Sequence, residues 1–144
     1  MPTSPGPTAV TPIAFAASEY GYVPGACNIG PWEIRRRRRF AMAGFVAAAI
    51  LFVALVVIGA PAITRILVLL PAWGGTFSWL QARRRFCGAY AMAGISNFAD
   101  GEAGRQTVAD AAAHRADVQA TLRMTRDSFA IALLITIVAV LLPV

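Results

Sequence analysis

The chain alternates long apolar runs with short blocks of arginine, and that alternation predicts its elements. The first run, Phe40 to Ala60 (FAMAGFVAAAILFVALVVIGA), carries no charge. At about 1.5 Å per helical residue it reaches about 30 Å, the thickness of a bilayer's hydrocarbon core. A buried helix of a water-soluble protein seldom runs so long without a polar face, so this run is read as a transmembrane helix. Upstream, Gly30 and Pro31 supply the N-cap and N1 positions, and Glu33 falls at N3, where a carboxylate suits the helix dipole. Asn28, able to cap or to take a left-handed turn, completes this helix-start motif. The helix is expected to begin at Pro31, pass through Arg35, Arg36, Arg37, Arg38 and Arg39, and end or kink at Pro61.

The second run, Ile66 to Ala82, lies between Arg65 and the block Arg83, Arg84, Arg85. It is short for a span, and Pro71 with Gly74-Gly75 weakens its middle, a break that membrane helices tolerate when neighbours cover the freed backbone groups. Residues 86–98 (FCGAYAMAGISNF) are too few to cross alone and are expected to lie in the interface, to re-enter, or to pack on the first two helices. Residues 99–127 mix acids, arginines and alanines, the composition of a water-exposed helix, with Val108, Ala111, Val118 and Leu122 as a stripe interrupted by Arg115. The final run, residues 128–144, is uncharged and reads as a third span that is barely tilted or sits in a thinned bilayer.

The expected fold is therefore an all-α integral membrane protein: a two-helix transmembrane hairpin within residues 27–98 (spans at about 40–60 and 66–82), a polar cytosolic helix over 99–127 and a C-terminal transmembrane helix over 128–144. Residues 1–26 hold no basic n-region joined to an apolar core; their Pro, Thr and Ser read as a disordered cytosolic tail rather than a signal peptide.

Composition agrees. Of the 144 residues 58% are hydrophobic and only 14% charged, too few charges to cover a soluble domain's surface. The net charge is +6, and every basic residue is arginine, the usage of a GC-rich bacterial genome. Nucleic-acid binders spread basic groups over a polar face. Here the arginines abut apolar runs, which fits anionic lipid headgroups and the positive-inside rule and leaves nucleic acid out. Five arginines precede the first span and three follow the second, against Arg65 alone between them. Both blocks are thus expected in the cytosol of a multi-pass protein of the inner, or plasma, membrane, with the N-terminus cytosolic.

Chemistry is sparse. Cys27 and Cys87 flank the two spans, so the topology sets both at the cytosolic interface, where they could form a thiol pair or accept sulfane sulfur. Two thiols with only the distant His114 make a poor metal site, and no metal or cofactor is expected. The alternative is that they are inert small residues. Gly44 and Ala48 mark a small-residue face that suits close packing on the second helix or on a second copy. No charge lies inside an apolar run, which counts against a transporter or proton relay. No nucleophile set, carboxylate pair or phosphate loop is evident, so an enzyme is not expected.

Residues 27–98 resemble the small two-helix inner-membrane domain family known as YgaP-like or DUF2892. The likeness lies in Asn28-Ile29-Gly30, the acid Glu33 with arginine a few positions on, Gly44 early in the first helix, and the close Phe86-Cys87, Tyr90 and Gly94-Ile95. The sequence departs from that pattern at Ile34, where a basic residue is usual, and at Cys87-Gly88 in place of Cys-Pro. The resemblance implies a helical hairpin able to dimerise and, since some members are fused to a sulfur-transferring rhodanese domain, makes Cys27 and Cys87 worth testing. Three functions follow as expectations. The first is a non-enzymatic subunit or assembly component of a membrane complex, or a homo-oligomer. The second is a thiol or persulfide relay at the cytosolic face. The third is an oligomeric small-molecule transporter.

Overall fold

The computed structural model describes residues 21–144. Residues 1–20, most of the expected tail, lie outside the described residues. The protein is mostly helical. Helix α1 spans Pro31–Val57. A 3₁₀ segment, Ala62–Val68, runs directly into α2, Leu69–Arg84. The short helix α3, Gly88–Ala93, leads to strand β1, Ile95–Asn97, which pairs antiparallel with β2, Arg105–Thr107, so that Ile95 faces Thr107. Helix α4, Ala111–Leu141, completes the chain. Among the described residues three stretches are long and apolar enough to cross a membrane: α1, the continuous run Ala62–Arg84, and α4.

Several boundaries differ from those read in the sequence, each for a local reason. Residues 21–26, expected as part of the tail, belong to the folded head instead: Tyr22 is buried and Val23 pairs with Cys27. The second long helix starts four residues before Ile66, and Pro71 does not break it: it falls in the first turn of α2, where a missing N–H costs nothing. Residues 86–98 form α3 and β1, and α3 packs on α4. The strand pair is a small departure from an all-α chain.

The polar helix over 99–127 and the run over 128–144 are not separate. Residues 99–110 carry a 3₁₀ turn and β2, and one helix then continues unbroken past residue 128. Asp110 sets its start, accepting from the Ala113 N–H at 2.8 Å. Neither Gly nor Pro occurs from Ala111 to Leu142, so nothing stops the helix where polar side chains give way to apolar ones.

The helices pack through their small residues and turn the large ones outward. On α4 the inward positions are Ser128, Ala132, Thr136 and Ala139, whereas Leu134 and Leu141 are 63% and 74% exposed. Ala132 meets Ala48 of α1 and Val68 and Ala72 in one cluster. A Cβ on Gly44 would stand 2.6 Å from Gly75, so α1 and α2 approach at these two glycines with no side chain between them. At the other end of α4, Ala120 and Met124 join Leu80, Phe86 and Ala91. Residues 21–30, α3, the strand pair and the first third of α4 make a small polar head on the helices.

A buried polar junction between head and helices

Residues 28–30 thread between the end of α2 and β1, and they carry the junction. The backbone N–H groups of Asn28 and Ile29 both donate to the Arg85 carbonyl, at 3.1 and 3.4 Å. Arg85 presents that carbonyl because it closes α2 in the left-handed conformation, φ 53°. The Asn28 side chain lies fully buried against Cys87: its Oδ1 accepts from the Cys87 N–H at 2.7 Å, and its Nδ2 donates to the Cys87 carbonyl at 3.0 Å. Asn97 of β1 donates its N–H to Asn28 at 2.9 Å and accepts from the Gly30 N–H at 2.8 Å. Ile29 thus acts as an added strand position, bridged in parallel to Asn97, and Asn28 bonds Cys87 instead of capping the helix; Gly30 is the N-cap residue and offers no side-chain bond. A Cβ at Gly30 would lie 2.7 Å from the Phe98 carbonyl oxygen, so the close passage of two backbones requires glycine.

Glu33 sits in the first turn, as the motif predicts, but it serves the interior. It is fully buried and accepts from the Tyr90 hydroxyl at 2.6 Å, with Arg37 and Arg36 at 3.6 and 3.8 Å. A buried carboxylate needs such partners to offset its lost hydration. Burial first, and the bond to Glu33 second, raise the Tyr90 phenol above its ordinary value, while Arg105 lies 5.3 Å from the ring. Arg37 also donates to the Cys87 Sγ, at 2.9 Å.

Both cysteines are free thiols. Cys87 is fully buried, and one residue, Asn28, separates it from Cys27 through the bonds just given. Burial pushes the Cys27 thiol up, against the opposing pull of the Ile29 backbone bond and the Arg85 charge. This keeps Cys27 protonated to higher pH than an ordinary thiol, the opposite of what activates a nucleophile.

The arginine blocks share one end of the molecule and divide their work. Arg36 pairs with Glu102 at 3.6 Å and lies over Trp32 and Phe40; Arg35 reaches Asp100 at 3.9 Å. Arg83 lies over Trp79, and Arg84 binds Asp127 at 2.9 Å. Arg38 and Arg39 are exposed and make no ion pair among the described residues. Gly44 and Ala48, left open between two partners by the sequence, both face other helices of the same chain. Among the described residues no group of three His, Cys, Asp or Glu side chains is placed to hold a metal ion.

Three buried polar positions escape a reading by runs. Arg65, expected as a loop charge, is 4% exposed and donates Nη1 to the Ala139 and Leu142 carbonyls at 3.2 and 2.8 Å and Nη2 to Val144, closing the end of α4. Asp117 is fully buried on α4, where it accepts from the Tyr22 hydroxyl at 2.8 Å and the Gly25 N–H at 2.6 Å. Asn97 holds β1 to residues 28–30. The available signal was spacing: Ala113, Asp117, Ala120, Thr121 and Met124 recur at three and four, a small-residue stripe with an acid in it, whereas the chosen stripe included Leu122, which is 61% exposed.

Fold and junction together define a class: a helical protein with three helices fit to cross a membrane and a head tied to them by buried polar contacts. Compared with family models, curated proteins and solved structures, the chain matches none. The likeness of residues 27–98 to the two-helix family rests on the quoted motif alone.

Proposed function

We propose that this chain is a polytopic inner-membrane component that works by packing, on itself or within a larger membrane complex, rather than by catalysis. The observation that carries the reading is the inverted helix surface. Large aliphatic side chains point outward along α1, the Ala62–Val68 segment and α4, and small ones pack inward, the arrangement that acyl chains favour and water does not. In this reading α1 and α2 form the membrane hairpin and α4 crosses once. The arginine-rich end faces the cytosol with the head upon it, since Arg65 is the one basic residue at the opposite end. The test is fractionation followed by sizing. The chain should stay with membranes through alkaline carbonate and elute from mild detergent as an oligomer or with a co-purifying protein. A strict monomer without company sinks the packing role, and release by carbonate sinks membrane insertion.

A thiol relay is the second reading, favoured by one contact, the Arg37 guanidinium donating to the Cys87 sulfur at 2.9 Å. It requires both thiols to react with a small membrane-permeant alkylating reagent in intact membranes. A Cys87 that stays unmodified in the folded protein removes it.

A further inference from the structure

A cavity of about 310 Å³ opens where the end of α2, the segment before α1 and the polar third of α4 meet. Its floor is apolar, made by the buried side chains of Phe86, Ala120 and Met124; Gly25 closes one wall, and Arg84 and Arg123 stand at the rim. Arg84 is held in place by Asp127, which Arg126 shares at 3.0 Å, so two guanidinium groups meet at one carboxylate. Arg123 makes no ion pair among the described residues. Asp117 does not line the cavity and is turned to Tyr22 and Gly25 instead. The cavity therefore combines a net positive rim, in the planar geometry that guanidinium offers to phosphate, with a greasy floor. It also lies at the height where the outward surface turns apolar: Leu122 and Phe129, on the same stretch of α4, are both exposed. A soluble phosphate ester uses the rim alone. A molecule with a phosphate head and hydrocarbon below uses all three features.

We propose that this cavity seats the phosphate headgroup of an anionic glycerophospholipid, with Arg84 and Arg123 as its ligands. The site rests on the membrane reading above and goes beyond it, because it separates one built pocket from the general attraction of the exposed arginines.

The test uses the full chain reconstituted in phosphatidylcholine vesicles with trace spin-labelled phosphatidylglycerol or phosphatidylcholine, the immobilised fraction of each label giving the preference. The wild type should select phosphatidylglycerol. Arg123→Gln should cut that preference about fivefold, the loss of one close arginine–headgroup attraction. Arg39→Gln removes the same charge from an exposed position outside the pocket and should cost only the smaller, diffuse share of the preference. Equal losses in both variants, or none in either, overturn the pocket in favour of a diffuse field. Displacement of the label by inorganic phosphate at constant ionic strength overturns the lipid assignment in favour of a soluble phosphate ester. A chain that never enters the vesicles overturns the membrane reading and this site together, whereas insertion without dependence on Arg123 overturns the site alone.

Discussion

At the scale of single residues, the junction is sensitive to one methyl group. Gly30 has no room for a Cβ because the Phe98 backbone crosses it, and neither backbone can shift without losing the Gly30–Asn97 and Asn28–Asn97 bonds. Gly30→Ala should therefore destabilise the protein by about 1–3 kcal/mol, read from thermal unfolding in mild detergent. The head's two buried phenols set its response to alkali. Tyr22 and Tyr90 are both held above the ordinary value of 10.0, by burial and by bonds to Asp117 and Glu33. A raised folded value means that the stability they contribute is whole below the unfolded value and is lost as pH rises through the folded one. Unfolding midpoints should accordingly stay level from neutral pH to about 10 and fall beyond it. Tyr22→Phe combined with Tyr90→Phe should flatten that fall; an unchanged alkaline fall in the double variant would count against these phenols as its source.

At the scale of elements, the helices were legible and their ends were not. Apolar runs announce a helix through composition, so α1, α2 and the last half of α4 follow from the sequence. The joins depend on what touches what. Pro71 looks like a breaker until the Ala62–Val68 segment places it in a first turn, and the polar-to-apolar change near residue 128 looks like a boundary although no backbone reason for one exists. Gly44 and Gly75 show how contact decides the meaning of a residue. Gly44→Leu should force α1 from α2 and cost about 1–3 kcal/mol, whereas Gly74→Ala, with nothing within 4 Å of the new methyl, should stabilise α2 by up to about 1 kcal/mol. Unfolding curves of the two variants should move in opposite directions. Arg65 belongs to this scale too, since it links the segment before α2 to the last carbonyls of α4. Arg65→Ala should cost about 2–3 kcal/mol and raise amide hydrogen exchange at the last turn of α4 well before that of α1.

At the scale of the whole molecule, α4 is the element that makes head and helices one body. Its first third carries Asp117 and Met124 against the head, and its remainder packs Ala132 and Thr136 among the helices without a hinge between. Asp117→Ala removes the acceptor of a buried hydroxyl and a part-buried N–H and should cost about 2–3 kcal/mol. The loss should be confined to the head: exchange should rise over residues 21–30 while α1 and α2 keep their protection. Uniform loosening would show that head and helices melt as a single unit. The acid's role was hidden in the sequence because it sits among the other charges of a stretch that reads as solvated, and only the fold brings Tyr22 to it.

The bond between Tyr22 and Asp117 joins positions 95 apart along the chain. A ribosome delivers Tyr22 well before Asp117. Residues 21–30 must therefore wait, the backbone donor at Gly25 unmet, until α4 is made. Any nascent fragment stopped before α4 would display an unfinished head, a mark by which proteases could tell an incomplete product from a complete one.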